Sequence, residues 1–211
     1  MSYIYTAIGD SLTTGFGALP GNGFVPVYRR MTENGLRTPI YLNNLGANGL
    51  DSEGLEQRLR HHPVYRQAIR DADLITLSIG GNDLIHAARE VRRNPARESY
   101  ILNQSLAECK SNFGSIIRMI YTIKESSRSP YILRVVGLYN PYPQISEANS
   151  WVGSFNRYAA QYSSRVYGFA DIFSAFAERG RELLSIDQVH PNGKGYRIIA
   201  EQLNGLGYGF L

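Results

Sequence analysis

Apolar runs of five to eight residues recur along the chain at 3–8, 40–45, 74–79, 131–138 and 166–170, each closely followed by Gly, Asn or Asp. Runs this short, largely apolar and rich in Ile, Leu, Val and Tyr, read as buried strands of a parallel sheet. Between them the period changes. Leu102, Leu106, Cys109, Phe113, Ile116, Ile120 and Ile123 follow a 4,3,4,3,4,3 spacing that draws one apolar stripe along a helix. Strands alternating with helices imply right-handed crossovers covering both sheet faces. The expectation is an α/β protein: a three-layer α/β/α sandwich with about five parallel strands, one domain over residues 1–211.

Composition narrows the class. The chain is 43% hydrophobic, with 15 Tyr and 8 Phe, enough apolar surface to offset ordering entropy, which excludes intrinsic disorder. Its single cysteine excludes a disulfide scaffold and suits a reducing compartment. Cys109 also falls on the apolar helix stripe, where a packed thiol is the better account than a reactive one. Residues 1–8 lack the basic, apolar and small-residue order of a signal peptide, and no stretch approaches 18 apolar residues. We therefore expect no signal peptide, no membrane span and a cytoplasmic protein. The net charge of +4 is carried by 19 Arg and 3 Lys. The densest group, Arg89, Arg92, Arg93 and Arg97, has no interleaved aromatics and reads as a solvated face, so no nucleic-acid partner is expected.

In an open parallel sheet, functional groups gather at the carboxyl ends of the strands. After the first strand stands Gly9-Asp10-Ser11-Leu12-Thr13-Thr14-Gly15, which presents a serine hydroxyl at that rim, although Ser11 could equally cap a following helix. The second strand ends in Asn44-Leu45-Gly46-Ala47-Asn48-Gly49, where Gly46 offers a backbone N–H or simply a turn. Gly80-Gly81-Asn82-Asp83 follows the third strand and supplies a side-chain amide able to stabilise developing negative charge, or to cap a helix. Near the C-terminus, Asp187 precedes His190 by three residues, a spacing that lets a carboxylate bond one ring nitrogen and leave the other facing outward. Asp171, after the fifth strand, is the rival carboxylate.

Taken in order, Gly9-Asp10-Ser11-Leu12, Gly46, Gly80-Gly81-Asn82-Asp83 and Asp187-Gln188-Val189-His190 resemble the GDSL, or SGNH, family of serine esterases and lipases. The resemblance spans nearly the whole chain and extends to small lipases and esterases of bacilli, including spore-associated ones. It implies a flavodoxin-like hydrolase fold. It further implies Ser11 as nucleophile, His190 as general base and then acid, and Asp187 as its orienting carboxylate. The Ser11 N–H, Gly46 N–H and Asn82 Nδ2 would form an oxyanion hole. The expected substrate is a small ester or lipid of short to medium acyl chain, phospholipid and lysophospholipid included. Thioesterase or carbohydrate deacetylase activity, or a non-catalytic binding module, are the alternatives.

Other chemistries fit the residues poorly. The Gly-x-Ser-x-Gly elbow of α/β-hydrolases is absent. Gly15-Phe16-Gly17 meets Pro20 where a dinucleotide fingerprint needs Gly, and Gly193-Lys194-Gly195 lacks the Ser or Thr of a phosphate loop. His61 and His62 are adjacent and diverge on a helix, while His86 stands alone. Neither cofactor nor metal is expected. Phe16, Leu19, Phe24, Tyr28, Tyr139, Tyr142 and Trp151 are candidates for an acyl groove, with ordinary core packing as the competing account.

Overall fold

The computed structural model describes residues 2–127, 129–142, 146–209 and 211. Strands β1 (Tyr3–Gly9), β2 (Ile40–Gly46), β3 (Leu74–Ser78), β4 (Ile132–Val136) and β5 (Tyr167–Ala170) pair in parallel in the order β2-β1-β3-β4-β5. This is the flavodoxin-like order. All five lie within two residues of the expected runs; β3 and β4 are buried throughout, while the edge strand β2 is largely exposed.

Alternate strand residues feed two separate cores. Ile8, Ile75, Leu77, Leu133 and Val135 face one side, packed by α3 (Ser52–His61), α4 (Pro63–Asp71), α5 (Gly81–Arg93), α6 (Glu98–Ser127) and α7 (Ser146–Ala160). Tyr5, Ala7, Leu74, Ile132 and Val136 face the other, packed by α2 (Phe24–Leu36), α8 (Phe173–Arg179) and α9 (Gly193–Gly205). The result is the expected three-layer α/β/α sandwich. Along α6 the stripe from Cys109 to Ile123 is buried as its spacing requires, whereas Leu102 and Leu106 remain partly exposed.

The chain passes from β1 to β2 on one side and later from β2 to β3 on the other. Beyond the carboxyl ends of β1 and β3 the flanking loops therefore part, leaving a crevice where this topology places ligands.

Candidate active site

The first wall of the crevice is built by the exit from β1. Gly9 has φ +142°, and a Cβ there would stand 2.1 Å from the Ser78 carbonyl oxygen, so only glycine lets the chain leave so close to β3. Asp10, not Ser11, caps the short helix α1 (Ser11–Thr14), accepting the Leu12 N–H at 3.0 Å. Ser11 is thereby freed from capping. Asp10 also accepts the Ser78 hydroxyl at 2.8 Å. Its own burial pushes the carboxyl up to about 6, against the opposing pull of these hydrogen bonds and of His190.

The loop before α9 supplies the opposite wall. Ser185 N–H donates to the His190 carbonyl at 2.8 Å, and Gln188 takes φ +58° to close the turn. Asp187 Oδ1 accepts from the Ser185 hydroxyl (2.7 Å) and from the Val189 and His190 N–H groups (3.0 Å each), while Oδ2 lies 2.6 Å from His190 Nδ1. Burial would raise the Asp187 pKa, yet these donors, His190 first, hold it well below the usual carboxylate range. A carboxylate only accepts, so Nδ1 carries the proton and Nε2 presents a lone pair. Ser11 Oγ lies 2.9 Å from that Nε2 and donates to it. The Phe16 ring edges against the imidazole, centroids 4.7 Å apart. Asp171 is elsewhere: it accepts the Phe173 N–H at 2.9 Å, turning the chain into α8.

The two remaining expected donors part company. Asn82, the second residue of α5, reaches the crevice beside Ser11 and His190 and spends one Nδ2 hydrogen on the Leu50 carbonyl (2.9 Å), leaving the other free. Gly46 does not reach it. Its single N–H donates to Asn44 Oδ1 at 3.0 Å, and it ends β2 packed against Thr13 rather than lining the crevice. The expectation for Gly46 is therefore corrected. Gly49, three residues on, lines the crevice with Ser11, Asn82 and His190. It has φ +77° and open space around it, and its N–H meets no acceptor among the described residues. The Asn48-Gly49 pair, a strong turn signal, is the mark in the sequence that pointed there.

From Ser11 an apolar cleft of about 230 Å³ runs between α5, α6 and α7, lined by Leu84, Ala88, Val91, Leu102, Leu138 and Val152 among others. Of the aromatic residues expected to form a groove, Tyr139 and Tyr142 line this cleft. Phe24, Tyr28 and Trp151 are core residues, and Leu19 is exposed away from it. Helix α5 was the missed wall, although its apolar positions 84, 88 and 91 repeat at helical spacing. Pro143, the last residue of the aromatic run from Tyr139, lies outside the described residues. Among the described residues, no three of His, Cys, Asp and Glu converge as a metal site, and no helix is long and apolar enough to cross a membrane.

The model of the GDSL-like lipase/acylhydrolase family matches residues 7–198, from the end of β1 into the first half of α9. The chain belongs to the GDSL-like lipase/acylhydrolase family. It is thus a carboxylic ester hydrolase. Over its full length it is 34% identical to a spore germination lipase of Bacillus licheniformis, covering 99% of that protein. A solved lipase from a goat rumen metagenome superposes with a TM-score of 0.92 at 33% identity, with 99% of each chain covered. An acetylxylan esterase from Geobacillus stearothermophilus, in a catalytic mutant form, shares the fold, with a TM-score of 0.72 at 19% identity and coverage of 99% and 95%. The GDSL-like sequence block is the Gly9–Leu12 turn described above, and the matched region carries both walls of the crevice.

Proposed function

We propose that this GDSL-like hydrolase, one domain over residues 1–211, cleaves esters of medium-length fatty acids by acyl transfer through Ser11. In this reading His190 Nε2 takes the Ser11 proton, the alkoxide attacks the ester carbonyl, and Asp187 holds the imidazole in the required tautomer. Ser11 N–H, Gly49 N–H and the free Asn82 Nδ2 hydrogen receive the oxyanion, with Gly49 in the place first given to Gly46. The intermediate collapses with loss of the alcohol, which takes the proton from His190; water then attacks the acyl-serine, with His190 as base, and the acid leaves.

One observation carries the substrate class. The Ser11 hydroxyl, already bonded to His190 Nε2 at 2.9 Å, opens onto a cleft whose surface is predominantly apolar, with Arg92, Glu98 and Glu147 also among its lining residues. An acetyl group would leave that cleft unfilled, whereas each methylene buried there contributes about 0.8 kcal/mol of binding. A lipid ester is favoured over an acetylated sugar on this ground, and the similarity to two lipases supports it. The spore germination lipase among the relatives also supports a spore-associated setting over the general cytoplasm. Kinetics on p-nitrophenyl esters from acetate to laurate, with Ser11→Ala as blank, test the proposal. A rise in kcat/KM with chain length is expected; a maximum at acetate would overturn it.

A further inference from the structure

Of the two side chains that Gly80-Gly81-Asn82-Asp83 offers at the start of α5, Asn82 faces the crevice and Asp83 turns to the start of α3. Its carboxylate grips one residue there. Oδ2 accepts the Ser52 N–H at 3.0 Å and Oδ1 accepts the Ser52 hydroxyl at 2.5 Å. From α6, Asn112 donates to the same hydroxyl at 3.1 Å, and Ser105 donates to the Asp83 carbonyl at 3.3 Å. Ser52 opens α3 only three residues after Gly49. Asp83 thus ties α3, α5 and α6 together at the end of the loop that carries Gly49.

That loop depends on outside anchors. Asn48 and Gly49 are exposed, and a Cβ on Gly49 would meet nothing within 4 Å, so packing does not buttress the peptide that presents its N–H. Hydrogen bonds hold it instead. On the β1 side, Ala47 N–H donates to the Gly9 carbonyl at 2.9 Å and Asn48 Oδ1 accepts the Thr14 hydroxyl at 2.6 Å. On the α5 side, Asn82 holds the Leu50 carbonyl and Asp83 holds Ser52. Neighbouring residues of one helical turn therefore fix both the loop bearing one donor and the side chain that is the other. Burial pushes the Asp83 pKa up, against the pull of the Ser52 donors, so the fold keeps this carboxylate at a cost to its ionised form. A neutral pair would tie the elements without that cost.

We propose that Asp83 is the positioning residue of the oxyanion hole, setting through Ser52 the place of Gly49 N–H relative to Asn82 Nδ2. This rests on the assignment of those two donors made above. Asp83 lines neither the acyl cleft nor the crevice, so its effect on the reaction passes through the loop. A donor displaced by about 1 Å loses much of its hold on a developing oxyanion and little on a neutral ester, and the cost therefore falls on the transition state.

The test measures kcat and KM on p-nitrophenyl octanoate together with the inhibition constant of octylboronic acid, whose adduct with a catalytic serine is tetrahedral and mimics the transition state. Asp83→Ala is expected to lower kcat by about 10- to 100-fold and to weaken the boronic acid by a similar factor, with KM within a few-fold. Asp83→Asn keeps an oxygen for the Ser52 N–H and can donate to the hydroxyl, so it should recover most of both losses. Ser52→Ala retains the N–H bond alone and should lose about three- to tenfold in both; it carries the test should Asp83→Ala fail to fold. A merely structural role would reduce the fraction of active protein, and with it kcat, yet leave the inhibition constant at the wild-type value. That outcome overturns the proposal, as does a wild-type kcat in Asp83→Ala. Wild-type kcat and boronic acid affinity in Asn82→Ala would instead overturn the oxyanion-hole assignment beneath it, and the two failures are thereby told apart.

Discussion

Ser11 Oγ and His190 Nε2 lie 2.9 Å apart although 179 residues separate them in the chain. The contact joins the exit of β1 to the loop before α9 and does not help to cap either helix, since Asp10 and Asn192 perform that task. Ser11→Ala should therefore leave the far-ultraviolet spectrum and unfolding midpoint near wild type while lowering kcat on the order of 10⁴ to 10⁶. Ester turnover within tenfold of wild type by a well-folded variant would exclude Ser11 as nucleophile.

The carboxylate serving His190 is decided by a comparison of two asparagine variants. Asp187→Asn keeps the loop's shape but offers an amide to Nδ1, stabilising the tautomer that protonates Nε2; kcat should fall by up to about 10⁴. Asp171→Asn retains an oxygen for the Phe173 N–H and should stay within about twofold of wild type, since exposed cap exchanges among Asp and Asn are mild. Steady-state kinetics on both proteins check this, and the opposite order would reassign the partner.

Much of this site was legible because its pieces are local. Asp187 and His190 sit in one turn, Ser11 follows one strand and Asn82 another, so the parallel sheet had only to align the strand ends. Gly46 and Gly49 show where local reading ends. Both lie at or just beyond the end of β2, and only the path of the loop, fixed by the Asn82 bond to the Leu50 carbonyl and the Asn44 bond to Gly46 N–H, decides which glycine lines the crevice. The acyl cleft was missed for a related reason. Bulk apolar surface alone does not tell groove from core: Phe24 and Tyr28 pack under α9, and beside Tyr139 and Tyr142 the cleft is walled by smaller side chains of α5, α6 and α7.

Asn82 has two tasks, since the Nδ2 that faces the crevice also anchors the loop carrying Gly49. Asn82→Ala should lower kcat by about 10² to 10³ with KM within a few-fold, the pattern of a donor that acts chiefly on the oxyanion. A rise in KM at constant kcat would assign Asn82 to ground-state binding.

Ala88 lines the middle of the cleft on α5, where a larger side chain would block the path beyond Ser11 without entering the sheet core. Ala88→Phe should shift chain-length preference toward acetate and butyrate, lowering the laurate-to-acetate ratio of kcat/KM at least about tenfold, given roughly 1 to 3 kcal/mol per methylene excluded. A ratio that survives the substitution would place the acyl chain elsewhere.

Asp10 offers a test of the electrostatics beneath the nucleophile. The carboxyl is 2% exposed, and its burial lifts the pKa from the ordinary 3.8 to about 6. Because the folded protein holds this proton more tightly than the unfolded chain does, its contribution to stability is full below pH 3.8. The contribution is lost as pH rises through 6. Across that window the ionised form costs about 3 kcal/mol relative to the protonated one, a tenfold change in proton affinity being worth about 1.4 kcal/mol. Asp10→Asn cannot ionise, keeps an oxygen for the Leu12 N–H and Ser78 hydroxyl, and can turn its new amide toward the cleft that Asp10 lines. The variant should therefore match wild type near pH 4 and exceed it progressively toward pH 7. Asp187, whose pKa is shifted down, acts in the opposite sense but equally in both proteins, so it cancels in the difference. Urea unfolding midpoints for the pair at intervals from pH 4 to 7 measure that difference directly. A gap that stays constant across the range would mean that Asp10 titrates as it does in the unfolded chain, and that the hydrogen bonds from Leu12 and Ser78 fully offset its burial.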